Sequence, residues 1–371
     1  MSENTFKKPQ RIYWLDVARV IAIISISCNH AINRSYATYT GQLEEYLSIP
    51  FISTTFKAVI YIFSRIGVPL FLMISGALLL SKNINDGEGV KKFYKHNLLS
   101  LFITSEIWYF IVYCLKAVKL FLTGRISVKG FILGLFETML FVNQNTMVSF
   151  WYLPMILCAY LLIPFMCILK NKITWKNIVI PMIALFYIGF VIPTGDSFFR
   201  VLGIHSIIPA ENMVIVSLYF IYIIVGYWIS QGNMGKVKTP IVAVSCAVSF
   251  LLTCVYQIII YTTGIDYPII YDNVGILLSS IFLFELFRRF SNDLIKLRRP
   301  VEYISRIAFG IYFVHIVIMT ILVDYLPNVK TALPQPAYFF FLELVSVGGS
   351  IIIIAITSKI PFVKKYLYMI K

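Results

Sequence analysis

Charge is what this chain of 371 residues has least of: Asp, Glu, Lys and Arg make up 13% of it, while 59% is hydrophobic. A soluble chain carries about 25% charged residues, and the mean hydropathy of +0.82 points the same way. Several familiar motifs are also missing. There is no glycine-rich phosphate loop, no zinc-type spacing and no G-x-S-x-G elbow, so three common ways of holding a nucleotide, a metal or a nucleophilic serine are unavailable. The short alternating segments of a membrane β-barrel are absent as well. The first apolar run is long and no A-x-A-like site follows it, so no cleavable signal peptide is expected. No convincing internal repeat is visible, which weakens the case for a transporter of inverted halves. The six cysteines, Cys28, Cys114, Cys158, Cys167, Cys246 and Cys254, all lie in apolar runs. Without metal-type spacing they read as small buried hydrophobes, and no metal site is expected.

What is present is a succession of apolar runs of about 20 residues, each long enough for one helical crossing of a bilayer. The expected fold is an all-α integral membrane protein, a single polytopic domain over residues 1–371. About ten transmembrane helices fit the pattern. They fall near 12–33, 52–80, 97–117, 150–169, 177–193, 212–231, 240–263, 272–290, 301–325 and 336–358. The stretch "GFILGLFETMLFVN", 130–143, contains Glu137 and is too short to cross, so it suits a re-entrant or interfacial helix.

The net charge is +15. In a soluble protein that balance points to nucleic acid. Here the cations sit mostly in short loops, the topogenic pattern of membrane proteins, so no nucleic-acid partner is expected. With the N-terminus inside, 21 of the 32 Lys and Arg fall in inside loops and 8 in outside ones. The outside group includes Lys57 and the cationic segment 116–129. This asymmetry predicts that both termini are cytoplasmic.

"DVARVIAIISISCNHA", 16–31, is oily enough for a bilayer yet carries Asp16, Arg19 and His30. At 100° per residue, Arg19 and His30 are only about 20° out of register, and Asp16 and Ser27 join them on one broad stripe. Ile21, Ile24 and Cys28 lie off it. The stripe should face protein or a water-filled cavity, and the other faces can meet lipid. The helical rise separates Arg19 from His30 by roughly 16 Å. Ionisable groups inside a span are functional by default because burying them is costly. The alternative is an Asp16–Arg19 anchor at one interface and a His30 cap at the other. In "SRIGVPLFLMISGALLL", 64–80, Arg65 lies well inside an apolar run, and Pro69 should kink the helix beside it. The alternative for Arg65 is snorkelling to the surface.

Together these stretches resemble the acyltransferase 3 family of bacterial integral-membrane O-acyltransferases. The resemblance covers essentially the whole chain. It rests on "LD" at Leu15 and Asp16 with Arg19 and His30 behind it, on "VPLFLMISGALLL", on "FWYLPMILCAYLLIPF" (150–165) and on "GIYFVHI" (310–316). Cys28, Asn29 and Leu72 depart slightly from the family pattern. The resemblance implies transfer of an acyl group, usually acetyl, from cytoplasmic acyl-CoA to a hydroxyl of a cell-surface polysaccharide or lipid-linked glycan precursor. Acyl-CoA is then a substrate, and no tightly bound cofactor is expected. It also implies the stand-alone type without a C-terminal esterase-like domain, with direct transfer or hand-over to a separate extracytoplasmic partner. The location implied is the bacterial cytoplasmic membrane.

The residues suit that chemistry. A base must take the hydroxyl proton, and a histidine such as His30 titrates near neutrality. It would act as general base or, alternatively, as a transient acyl carrier. Asp16 joins it on the stripe. CoA phosphates need cations on the cytoplasmic side. Arg19 and the 288–299 segment, with Arg288, Arg289, Arg298 and Arg299, supply them. Arg65 is placed to neutralise a phosphate or the developing oxyanion. Trp151 and Tyr152 open the fourth span at the expected outer face. They suit stacking on a sugar ring or an interfacial aromatic belt. His315 is assigned to substrate binding or to a bond between helices, affecting folding or donor binding more than chemistry. Glu106, Glu285 and Glu343 read as helix–helix hydrogen-bonding groups, and His96 and His205 receive no role. A transporter or flippase is the alternative, since it too would carry buried charges and a kinked span.

Overall fold

The computed structural model describes residues 11–36, 43–141, 150–172, 175–203, 214–264, 269–290 and 296–370. The described residues form helices and their connections, as expected of an all-α integral membrane protein. In chain order the main helices are α1 (Tyr13–Ser35), α2 (Phe51–Arg65), α3 (Gly67–Leu79), α4 (Gly87–Leu122), α5 (Val128–Met139) and α6 (Tyr152–Lys172). They continue with α7 (Trp175–Phe186), α8 (Ile192–Val201), α9 (Val214–Ser230), α10 (Thr239–Thr263), α11 (Val274–Phe290), α12 (Arg298–Tyr325) and α13 (Gln335–Thr357). Eight stretches among the described residues are long and apolar enough to cross a membrane. Helices α9 and α11, of 17 residues each, occupy the remaining expected positions. At 1.5 Å per residue they reach about 26 Å. Helix α5 has 12 residues, or about 18 Å, too short for a crossing. Ser127 caps it, accepting from Gly130 N–H at 3.1 Å.

Helix α1 is the axis of the bundle. It packs against α2, α3, α11, α12 and α13. Of its apolar window 72% is buried, against 22% for α10 and 28% for α13. This corrects the expectation that its non-polar faces meet lipid: Cys28 is buried, and Ile24 packs against a core cluster. The neighbours can approach because small residues line the contacts. A Cβ on Gly67 would lie 2.7 Å from the Ala22 carbonyl oxygen of α1. Helices α3 and α9 meet through a reciprocal pair. A Cβ on Gly76 would strike the Ile223 carbonyl oxygen at 1.8 Å, and one on Gly226 the Met73 backbone at 2.3 Å.

The expected kink at Pro69 is a break at Ile66, three residues earlier. Pro69 has no N–H to donate to the Arg65 carbonyl, so the strain falls one turn back. A tight bond from Ile66 N–H to the Phe63 carbonyl, 3.1 Å, closes α2, and one from Leu70 N–H to the Ile66 carbonyl, 3.0 Å, starts α3. Ser25 of α1 donates to the Phe63 carbonyl at 2.8 Å and ties the break to the axis.

Two placements in the charge reading also change. Lys57 is no loop residue; it is buried within α2, with its ammonium over the Tyr36 ring at 5.7 Å and the Tyr261 ring at 4.4 Å. Lys116 and Lys119 belong to α4, so the connection to α5 is shorter than the sequence suggested.

Candidate active site

Helix α1 builds the site from its first turn. Asp16 is buried and accepts from four directions. Arg11 donates through Nε at 2.5 Å and Nη2 at 3.0 Å. Arg19 Nη1 donates at 3.2 Å, and Ser305 Oγ of α12 at 2.5 Å. Arg19 Nη1 also reaches Ser305 Oγ at 2.8 Å. A carboxylate has about four acceptor sites, so Asp16 is fully engaged. Its hydrogen bond raises the already high pKa of Arg11, which precedes the first helix. Along the helix Asp16 is about 21 Å from His30. The structure therefore brings Asp16 to Arg19 and not to His30.

From this cluster a cavity of about 1000 Å³ leads into the bundle. Arg11, Asp16, Arg19, Ser305, Arg306 and His96 line it at one end. Further along, Ile26, Phe71, Ile156, Tyr152 and Tyr312 make it apolar and aromatic. Part of its wall is the segment Tyr368–Ile370, folded back against the bundle. Trp108 Nε1 holds that segment by donating to the Leu367 carbonyl at 2.8 Å, and the Tyr368 and Thr357 hydroxyls share a hydrogen bond at 2.7 Å.

Beyond Tyr312 lies a pair of histidines. The His30 and His315 rings have centroids 5.4 Å apart, and the Tyr312 ring is 6.4 Å from His315. His315 is fully buried, and its Nδ1 lies 2.6 Å from the Ile311 carbonyl. Its Nε2 is buried without a hydrogen-bond partner. Arg34 Nη1 donates to the His30 carbonyl at 3.1 Å, and Ser27 Oγ to Glu343 Oε2 at 2.8 Å.

Arg65 ends α2 at the break, where its guanidinium lies over the Tyr61 ring at 4.3 Å and near the Tyr271 ring at 5.6 Å. It donates to the Tyr61 hydroxyl and, at 3.5 Å, to the Tyr271 hydroxyl. Its Nε has no partner, and no ion pair forms on it among the described residues. Asp272 stands nearby, in the connection ahead of α11. Trp151 packs on Tyr271 at 5.5 Å and on Tyr219 at 6.0 Å. Trp151 and Tyr152 thus face into the bundle.

The 288–299 cations are placed differently from Arg19. Arg288 and Arg289 both pair with buried Glu285, at 2.7 and 2.6 Å. Arg289 also donates to the Met234 and Val237 carbonyls at 2.7 and 2.8 Å. Arg298 pairs with Glu302 at 2.8 Å, and Arg299 is exposed. None of these four lines the cavity. Residues 291–295 lie outside the described residues.

An acyltransferase-domain family model matches residues 12–355, nearly the whole chain. The chain belongs to the acyltransferase 3 family. It is a membrane acyltransferase. No match to it was found among curated proteins or among solved structures.

Three basic residues lining the cavity of the acyltransferase carry no site role in the sequence: Arg11, His96 and Arg306. One signal was available for Arg306. Helices α1 and α12 start at the same end of the bundle, joined by Arg11, which donates to the Glu302 carbonyl at 2.8 Å. Each carries an Arg in its first half and a His further on, Arg19 and His30 eleven residues apart and Arg306 and His315 nine, although nine residues make two and a half turns and leave the second pair on opposite faces. His96 had no comparable signal; it is an exposed residue of a π-helical turn, Tyr94–Leu98, at the rim of the cavity.

Proposed function

We propose that the acyltransferase moves an acyl group, typically acetyl, from acyl-CoA to an acceptor hydroxyl brought to His30. One observation carries this reading: a single cavity starts at the Arg11–Arg19–Arg306 cluster and ends at Tyr312, beside the paired histidines. Its volume suits a ligand of cofactor size. Arg19, held by Asp16, and Arg306 engage the phosphates, because a guanidinium fork matches phosphate oxygens. The pantetheine arm runs along the apolar wall toward Tyr152 and Tyr312, spanning the roughly 16 Å between Arg19 and His30. His30 takes the hydroxyl proton as the oxygen attacks the thioester carbon, and returns a proton to the departing thiolate. Arg65 stabilises the oxyanion. Arg298 and Arg299 lie beside the start of α12 and act on the donor by long-range attraction only.

The acceptor is a hydroxyl of a cell-surface polysaccharide or lipid-linked glycan precursor, reached from the far side of a bacterial cytoplasmic membrane. Both termini face the cytoplasm, supported by the excess of Lys and Arg in the loops on that side. Reporter fusions at residue 365 and at residue 202 should therefore report opposite sides; the same side for both overturns the orientation. Thermal shift with acetyl-CoA, longer acyl-CoAs and free sugars tests the donor, since a ligand that binds only the folded state raises its stability. Stabilisation by acyl-CoA is expected. No shift with any acyl-CoA sinks the proposal.

A further inference from the structure

His315 has been treated as a residue for folding or donor binding, yet its surroundings fit another role. A carbonyl oxygen only accepts, so the 2.6 Å contact with the Ile311 carbonyl fixes the proton on Nδ1. In the neutral ring Nε2 is then a bare lone pair. That lone pair is buried, has no partner, and belongs to a ring 5.4 Å from the His30 ring. Buried acceptors left empty are rare, because losing water without gaining a donor is costly. The group it faces is a second imidazole, which can be both donor and acceptor. The charged groups that act on the pair are Arg34 on α1 and Arg65 on α2.

We propose that His315 is a positioning residue for His30: its Nε2, without a partner in this structure, accepts the ring N–H of His30 when the reactants are in place and so fixes the His30 tautomer that turns a bare nitrogen to the acceptor hydroxyl. The inference rests on His30 being the base in acyl transfer. During transfer the hydroxyl proton moves to that bare nitrogen while the new C–O bond forms. When the C–S bond breaks, the same proton passes to the CoA sulfur. The second His30 proton stays in its bond to His315 throughout, and no net proton is gained or lost. The arrangement has the logic of any base held in one tautomer by an acceptor behind it.

The test measures label transfer from [14C]acetyl-CoA into envelope glycan by membrane vesicles carrying His315→Ala, His315→Gln or His30→Ala, normalised to folded protein. His315→Ala should lose about 100-fold or more in kcat, with the KM for acetyl-CoA within about twofold, because a base in the wrong tautomer is lost while donor contacts remain. Gln places an acceptor oxygen near the former Nε2, so His315→Gln should recover at least tenfold over Ala. Histidine 15N NMR of the wild-type protein should show His315 as the Nδ1–H tautomer, whether or not a variant folds. Wild-type kcat in His315→Ala, a loss explained wholly by less folded protein, or an Nε2–H tautomer at His315 overturns the inference. His30→Ala inactive beside a fully active His315→Ala removes this inference alone; an active His30→Ala removes the base assignment beneath it.

Discussion

The two ends of α1 are built on opposite terms. At the Arg19 end the buried carboxylate is fully engaged: Asp16 takes two bonds from Arg11, one from Arg19 and one from Ser305. At the His30 end, His315 Nε2 and Arg65 Nε are buried without a hydrogen-bond partner in this structure. An empty buried donor or acceptor costs about 1–3 kcal/mol, more for a charge. The first end is a finished platform that holds its cations in place before any ligand arrives. The second keeps unmet bonding capacity beside a cavity, which is what a site awaiting a transition state requires. Substitutions at the two ends should therefore fail in different ways.

The largest effect is expected at His30. His30→Ala should keep folding and CoA binding but lose acyl transfer by about 10²–10⁴-fold, the usual worth of a general base. His30→Asn should do no better, because an amide hydrogen-bonds but takes no proton. Near-normal transfer by purified His30→Ala would falsify the catalytic role and leave this residue a helix-end group. Arg65 comes next. Arg65→Met should lower kcat by about 10²–10³-fold, the cost of one oxyanion donor. Its melting temperature should hold or rise, because an apolar side chain replaces a buried charge without an ionic partner. A fall in melting temperature with unchanged turnover would make Arg65 a structural cation instead.

The contrast between the two ends was only half legible in the sequence. Asp16, Arg19 and His30 stand out because a bilayer penalises them, and helical periodicity alone puts them on one stripe. The depth at which α1 is buried was not legible, since an apolar residue facing lipid and one facing another helix look the same. The break at Ile66 was one turn from the expected kink, because a proline acts on the carbonyl four residues behind it. The meeting of His30 with His315 joins residues far apart in the chain, and only packing reveals it. The pairing of Glu285 with Arg288 and Arg289 was passed over, Glu285 being read as a group between helices, although the spacings of three and four residues lie on one helix face.

That pairing sets up the smallest expected effect, and the sharpest comparison between two arginines. Arg19 lines the cavity and keeps 26% of its side chain exposed, whereas Arg288 has two nitrogens on a buried carboxylate and does not line it. Arg19→Ala removes a charge-assisted contact worth about 1.5–3 kcal/mol, so the Kd for CoA should rise roughly 10–150-fold. Arg288→Ala leaves Glu285 paired with Arg289, so CoA binding should change less than about twofold. What it should lose is stability, by about 1.5–3 kcal/mol for charge-assisted bonds to a buried carboxylate. Calorimetric titration with CoA beside thermal melting separates the two outcomes. If Arg288→Ala weakens CoA as much as Arg19→Ala does, the donor site extends beyond the cavity onto the end of α11, and the finished platform at the start of α1 is only part of it.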